Sequence, residues 1–180
     1  LTALEAAIPA AFHVVLGDWS YSNYDNFPFQ SFDAKEGTNR WWWETWESFF
    51  DILEPLTRTR TGIWVMGNHE YAELWPEVPN EDVVLLRTHA PGMERNFKAN
   101  YGGLVGIVAY DSFLQGRENN RTRLWLESAL RQAREQSKWV VVAMHHPTVG
   151  PHHPAEQAQQ DRQRRLFEPL FTKYADIVLS

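Results

Sequence analysis

Short runs of apolar and β-branched residues recur along the chain, separated by longer segments in which apolar residues fall at helical spacing. The runs occupy residues 13–16, 63–66, 104–110, 139–144 and 177–179. Each run is short and nearly continuous in hydrophobicity, which is typical of strands buried on both faces of a sheet. The pattern therefore predicts five strands of an α/β fold.

The segments between these runs predict three helices. The first, residues 40–56, places five large apolar side chains on one face: Trp42, Trp46, Phe49, Phe50 and Leu53. The second covers about residues 121–136 and the third about residues 155–174. Because proline disrupts helical hydrogen bonding, we expect Pro55 to end the first helix and Pro169 to kink the third. The order of strands and helices predicts α/β layers with at least partly parallel strand pairing.

Composition places the chain among globular proteins. A length of 180 residues with a hydrophobic fraction of 43% suffices for one domain with its own core. No apolar run approaches the ~20 residues that cross a bilayer. A net charge of -6 disfavours binding to the phosphates of nucleic acid, so we expect neither a nucleic-acid nor a membrane partner. Since the chain contains no cysteine, any metal ion must be held by oxygen and nitrogen ligands.

Polar side chains with metal-ligand chemistry follow three of the predicted strands. Asp18 follows the first strand, Asn68 and His69 follow the second, and His145 follows the fourth. Each has an ordinary structural explanation by itself, as a turn residue, a helix cap or a histidine at a strand end. Ligands of α/β folds gather at the carboxyl ends of strands, however. Three strand ends that all present such residues favour a metal site over three unrelated turns.

Three motifs in order resemble those of the calcineurin-like metallophosphoesterases and, within them, the purple acid phosphatases. They are Gly-Asp-Trp-Ser-Tyr at residues 17–21, Gly-Asn-His-Glu at 67–70 and Val-Ala-Met-His at 142–145. The segments at 43–49, 100–112 and 166–180 are also similar to the helix and strands between the motifs of plant-type members. The resemblance implies a layered α/β/β/α metallophosphoesterase sandwich.

The resemblance also implies a role for each matching residue. Asp18 would bridge two metal ions, Asn68 and His145 would bind a divalent ion, and Tyr21 would bind a ferric ion. His69 would face the phosphate and either stabilise the transition state or protonate the leaving group.

Three further residues have alternatives that the sequence leaves open. His152 and His153 are similar to a histidine pair that contacts substrate in plant-type enzymes, although their spacing here is shorter. They can equally belong to a solvated loop between two prolines. Trp19, beside Asp18, could line an entrance for the leaving group, but local packing is the stronger expectation.

The implied function is a dinuclear acid phosphatase that hydrolyses phosphomonoesters by attack of a metal-bound hydroxide. Its cofactors would be Fe(3+) plus a divalent Zn, Mn or Fe ion, and its partner a small-molecule phosphate ester. One alternative keeps the fold but drops the iron, so that Tyr21 only packs and the enzyme is a Zn/Mn phosphodiesterase or nucleotide phosphohydrolase. A second alternative is a degenerate, non-catalytic domain of the same fold. Secretion is expected from the resemblance alone.

The first Asp motif of the family would lie before Leu1 and its final Gly-His-x-His motif after Ser180. We therefore expect residues 1–180 to form a single, partial metallophosphoesterase catalytic domain that is incomplete at both ends. Three expected ligands would then be absent from this segment. By itself the segment is expected to bind metal weakly and to be inactive.

Overall fold

The computed structural model describes residues 10–19, 40–68, 70, 95–113, 120–150 and 157–180, without the side chains of residues 40–46 and 159. This part of the chain contains six strands and three helices. In chain order they are β1 (Phe12–Val15), α1 (Arg40–Thr57), β2 (Thr61–Trp64), β3 (Phe97–Tyr101), β4 (Val105–Ala109), α2 (Asn120–Gln136), β5 (Trp139–Ala143), α3 (Gln157–Tyr174) and β6 (Ile177–Leu179).

The strands form two sheets. β1 and β2 pair in parallel, with Val15 opposite Trp64. The second sheet has the order β3-β4-β5-β6, in which β3 is antiparallel to β4 and the other neighbours are parallel. The carboxyl ends of β1 and β2 therefore lie side by side, as do those of β4, β5 and β6. This confirms the predicted, partly parallel pairing.

The two sheets pack face to face, and helices cover their outer faces. Alternate residues of β4 and β5, together with Ile63 of β2 and Val65 just after it, form one core in the space between the sheets: Ile63, Val65, Ile107, Ala109, Val141 and Ala143. The intervening residues of β4 and β5 pack against α2 and α3 in a second core that includes Val108, Val140, Val142, Leu130 and Phe167. Trp64 and Met66 pack against Phe49, Phe50 and Leu53 of α1 in a third.

This arrangement confirms the α/β/β/α layering. It also explains why the strand runs are continuously hydrophobic, since a strand that lies between a helix layer and a second sheet is buried on both faces. Val140, Val141, Val142 and Ala143 of β5 illustrate this, because all four are buried while neighbours in sequence belong to different cores.

Two details differ from the sequence-based predictions. The sequence did not predict β3. Lys98 and Asn100 lie on the exposed side of this edge strand, so the segment contains no continuous apolar run. α1 continues two residues beyond Pro55, to Thr57, so this proline does not end the helix. Pro169 lies inside α3, and the kink predicted there stays a prediction.

Two further observations concern the helices. The side chains of Trp42 and Trp46 are outside the described ones, so their predicted packing stays a prediction. Among the helices that the structure describes, none combines the length and the apolar character required to cross a bilayer.

Candidate metal centre

Three of the predicted ligands lie together at the carboxyl ends of β1, β2 and β5. The Nε2 atom of His145 is 3.1 Å from Oδ1 of Asn68 and 3.3 Å from Oδ2 of Asp18. Asp18 and Asn68 come from the two-stranded sheet, whereas His145 comes from the four-stranded sheet. The cluster therefore spans the junction between the two sheets.

A backbone carbonyl fixes the orientation of the His145 ring. Its Nδ1 atom lies 2.6 Å from the carbonyl oxygen of Leu16, the residue after β1. A carbonyl oxygen only accepts hydrogen bonds, so Nδ1 must carry the proton in this contact. In a neutral imidazole the lone pair then belongs to Nε2, which faces Asn68 and Asp18. This is the arrangement in which a histidine binds a metal through Nε2.

Three atoms that can act as acceptors face one another here. A neutral Nε2, the Oδ1 of Asn68 and the Oδ2 of Asp18 are all acceptors, so a positive charge must lie between them or one of them must be protonated. Burial lowers the pKa of His145, but the hydrogen bond and negative charge of Asp18, together with the Leu16 carbonyl, outweigh burial and raise the pKa. A divalent ion that prefers nitrogen and oxygen ligands fits the same donor set.

Among the residues that the structure describes, the cluster contains two side chains of the strongest ligand types, Asp18 and His145. Within the described residues, no group of three His, Cys, Asp or Glu side chains is arranged to hold a metal ion. Asn68 supplies the third donor atom here through its neutral amide oxygen, and such oxygens are also ordinary ligands of hard cations.

A sharp backbone turn brings Asp18 into the cluster. Gly17 and Asp18 both have positive φ, 86° and 54°, which for a non-glycine residue costs about 1–3 kcal/mol. A Cβ atom on Gly17 would lie 2.7 Å from Cα of Gly67 and 2.7 Å from Nδ1 of His145. Only glycine therefore allows the loops after β1, β2 and β5 to approach this closely.

Glu70 joins two of these loops by its carboxylate. Oε2 accepts hydrogen bonds from the backbone N–H of Gly67, at 2.6 Å, and of Asp18, at 2.8 Å. Oε1 accepts one from the N–H of Trp19 at 2.7 Å. Glu70 is 1% exposed. Burial raises its pKa, while the three backbone hydrogen bonds oppose that rise.

The sequence alone gave Glu70 no role beyond completing a motif. The available signal was a carboxylate three residues after a glycine that follows an apolar strand, with no adjacent lysine or arginine in sequence. Such a carboxylate must find either solvent or hydrogen-bond donors. The carbonyl of Leu16, by contrast, has no sequence signal because it is a backbone group.

Trp19 packs locally, in line with the stronger of its two expectations. It is buried, its indole Nε1–H donates to the carbonyl of Val65 at 3.1 Å, and its ring lies 5.1 Å from that of Trp64 and 6.4 Å from that of Phe49. The aromatic contact anchors the loop that carries Asp18 onto β2 and α1. Trp19 therefore belongs to the support of the site and does not line an entrance.

A second set of buried polar groups holds the loop that carries His145. The backbone N–H of His146 donates to Oγ of Ser112 at 2.7 Å, and the side-chain amide of Gln163 donates to the carbonyl of Ser112 at 2.6 Å. Ser112 follows β4, and Gln163 lies in α3. Both Ser112 and Gln163 are buried. The loop after β5 is therefore fixed against its neighbouring strand and helix.

The other predicted site residues, Tyr21, His69, His152 and His153, lie outside the described residues. Their roles stay predictions.

Two curated relatives and one family profile match the sequence. The profile described as calcineurin-like phosphoesterase matches residues 1–180. Purple acid phosphatase 18 of Arabidopsis thaliana is 24% identical over 178 residues, which cover 94% of this chain and 36% of the relative. Purple acid phosphatase 21 of Arabidopsis thaliana is 24% identical over 147 residues, which cover 75% and 32% respectively.

The chain thus spans about a third of the length of the relatives it matches. The matching family consists of phosphoesterases, hydrolases that depend on a dinuclear metal centre. With the profile matched over residues 1–180 and the α/β/β/α layers in place, this chain belongs to the calcineurin-like phosphoesterase family.

Proposed function

We propose that the intact protein is a dinuclear metal-dependent acid phosphatase that hydrolyses small phosphomonoesters. The observation that carries this proposal is the convergence of three acceptor atoms, from Asp18, Asn68 and His145, with the His145 ring fixed so that Nε2 faces the two oxygens. A proton or a cation must lie between Nε2 of His145 and these two oxygens, and a divalent ion fits the nitrogen and oxygen donor set. The similarity to two purple acid phosphatases supports the acid phosphatase type.

The described residues have distinct tasks in this proposal. His145 and Asn68 would hold a divalent ion, and Asp18 would serve a second, ferric ion as well, because a carboxylate has two oxygens to share. When bound, the two ions lower the pKa of water and neutralise charge on the attacking and leaving oxygens of the phosphate. The Leu16 carbonyl keeps the His145 ring in the binding orientation.

The roles of the remaining predicted residues complete the proposal. Tyr21 supplies a phenolate to the ferric ion, which as a hard trivalent cation favours a charged oxygen ligand. His69 donates a proton to the departing oxygen or stabilises charge in the transition state. His152 and His153 contact the substrate. We also propose, from the resemblance, that the protein is secreted.

A metal titration of the intact, metal-depleted protein tests the centre. We expect Mn²⁺ to bind and Fe³⁺ together with Mn²⁺ to restore hydrolysis of p-nitrophenyl phosphate, and we expect Asp18→Ala and Asn68→Ala to lose both properties. Glu168→Gln, which changes a partly exposed glutamate of α3 that pairs with Arg164, is the matched control and should retain both. A folded protein that neither binds Mn²⁺ nor hydrolyses the ester would instead be a degenerate domain.

Visible spectroscopy of the natively loaded protein tests the iron and Tyr21. A phenolate on a ferric ion gives a charge-transfer band, and Tyr21→Phe should abolish it. A colourless, iron-free protein with higher activity on bis-p-nitrophenyl phosphate than on the monoester would replace the proposal by the Zn/Mn phosphodiesterase alternative.

A further inference from the structure

We propose that Glu70 is a positioning residue that sets the separation of the metal ligands Asp18 and Asn68, and thereby the affinity of the centre for its metal. This inference rests on the proposed function, because it assigns Glu70 a task toward the ion that Asp18 and Asn68 would hold. Glu70 itself contacts backbone groups and is not proposed as a ligand.

The Glu70 carboxylate connects the loop after β1 to the loop after β2. One oxygen, Oε2, accepts from both Gly67 and Asp18, so a single atom joins the loop after β2 to the loop after β1. The other oxygen accepts from Trp19, the next residue along the first loop. Asn68 follows Gly67 directly in sequence. The two proposed ligands are therefore adjacent to, or identical with, the residues that Glu70 holds.

Burial makes these bonds hard to replace. Glu70 is 1% exposed, its hydrogen bonds from Gly67 and Trp19 are buried, and the one from Asp18 is partly buried. Removing the acceptor would leave buried donors unpaired, which is more costly than losing a hydrogen bond at the surface. The two loops would then separate or shift to satisfy their N–H groups elsewhere.

Close packing limits how the loops can adjust. A Cβ atom on Gly67 would clash with Oδ1 and the backbone nitrogen of Asp18 and would lie 2.8 Å from Oε2 of Glu70. The Asp18 carboxylate, the Gly67 backbone and the Glu70 carboxylate thus occupy one tightly filled volume. A small displacement at Glu70 must be transmitted to the Asp18 side chain, because no intervening space absorbs it.

Both the length and the charge of this side chain matter to the proposal. Glu70→Asp keeps the charge but shortens the reach by one methylene, so it cannot hold both loops at their present separation. Glu70→Gln keeps the length, but its amide NH₂ cannot accept a hydrogen bond and would face at least one backbone N–H. Neither variant can therefore reproduce all three bonds.

Mn²⁺ binding to the metal-depleted, intact protein tests the inference, with the fraction of bound ion measured by electron paramagnetic resonance. Changes outside the ligand shell typically weaken metal binding by about 10- to 100-fold, and we expect a loss in this range for Glu70→Gln and Glu70→Asp. Glu54→Gln, an exposed glutamate of α1 paired with Arg58, is the matched control and should bind Mn²⁺ as the wild type does.

A second measurement separates positioning from general stability. Urea unfolding with and without saturating Mn²⁺ gives the stabilisation that the ion adds, and we expect this increment to shrink in the Glu70 variants even where the metal-free transition is native-like. Unchanged Mn²⁺ affinity in either folded variant would overturn the inference. Failure of both variants to fold would also overturn it, since Glu70 would then serve stability alone.

The outcome is distinguishable from failure of the proposed function. If Asn68→Ala and His145→Ala leave Mn²⁺ affinity unchanged, the metal centre itself is wrongly assigned and the role of Glu70 is overturned with it. If those two variants lose Mn²⁺ binding but the Glu70 variants retain it, the centre stands and only the positioning role of Glu70 is overturned.

Discussion

His145 donates a hydrogen bond from Nδ1 to the carbonyl oxygen of Leu16 at 2.6 Å, across 129 residues of sequence and from one sheet to the other. This bond ties the end of β5 to the end of β1. It also decides which ring nitrogen faces Asp18 and Asn68. One contact thus links the two strand ends and orients the ring at the candidate site.

The first prediction concerns the protonation of the His145 ring. In the intact protein loaded with Zn²⁺, nitrogen-15 spectra should show a proton on Nδ1 and a metal-bound Nε2, because the Leu16 carbonyl accepts only from an N–H. His145→Asn identifies the signals by removing them. A proton on Nε2, with Nδ1 bound to the ion, would contradict the proposed geometry.

The second prediction concerns the close approach of the loops at Gly17. Gly17→Ala places a Cβ against the backbone of Gly67 and the ring of His145 at a positive φ. We expect a loss of about 1–3 kcal/mol from overpacking, in addition to the strain of the left-handed conformation. Chemical denaturation measures the free energy of unfolding, and a Mn²⁺ titration should show weaker binding.

Gly102→Ala is the control for this comparison. Gly102 also has a positive φ, 59°, but a Cβ there would meet nothing within 4 Å. Both variants thus carry backbone strain. The difference between their free energies of unfolding therefore measures the effect of close packing at Gly17. Equal destabilisation of the two variants, with metal binding unaffected in both, would show that the loop contact at Gly17 is unimportant.

The third prediction concerns Gln163, which supports the loop of His145 through Ser112. Gln163→Leu leaves the buried carbonyl of Ser112 without the bond that Gln163 donates, and we expect a loss of about 1–3 kcal/mol in the free energy of unfolding. Gln157→Leu in the same helix changes an exposed side chain and should stay within about 0.5 kcal/mol of the wild type. Similar unfolding midpoints for the two variants would contradict the prediction.

The fourth prediction concerns the pH dependence that Asp176 introduces. Its Oδ2 accepts from the N–H of Val140 and from Nη2 of Arg134, both at 2.7 Å. These contacts hold the pKa of the Asp176 carboxyl below its ordinary value of 3.8. The hydrogen bond from Val140 is the main cause, and the hydrogen bond from Arg134 is the next. A lowered pKa in the folded state means that the stabilisation is present above 3.8 and disappears as the pH falls through the folded-state pKa.

Urea unfolding of the wild type and of Asp176→Asn at several pH values measures this effect. The wild type should have the larger free energy of unfolding near pH 7. The difference in this free energy between the two proteins should decrease on acidification below the ordinary pKa of an aspartate. Arg134→Gln should lose part of the stability that separates the wild type from Asp176→Asn near pH 7. A difference between wild type and Asp176→Asn that stays constant down to strongly acidic pH would contradict the assignment.

The layered architecture was predictable because its strands are buried on both faces and therefore appear as continuous apolar runs. β5, with four consecutive buried residues between a sheet and two helices, is the clearest case. β3 was not predictable in the same way. It lies at the sheet edge, exposes Lys98 and Asn100, and is defined by its pairing with β4 through a turn at Gly102 and Gly103.

The candidate site was predictable only as a set of residue types at strand ends. Asp18, Asn68 and His145 stand out because glycine or an apolar strand precedes a ligand-type side chain. Glu70 did not stand out, since nothing in its local sequence shows that its carboxylate binds a loop 51 residues away. Pro55 shows the opposite error, because local sequence suggested a helix end where α1 continues.

The sequence by itself determined the alternation of strands and helices, the ordered motifs and the chemical types of the candidate ligands, because these follow from local hydrophobicity and from side-chain identity. The tertiary structure alone decided that atoms of Asp18, Asn68 and His145 meet within 3.3 Å, which ring nitrogen of His145 faces the two oxygens, and that Glu70 joins the two loops. These relationships depend on how two sheets pack against each other and on backbone groups, neither of which has a local signal along the chain.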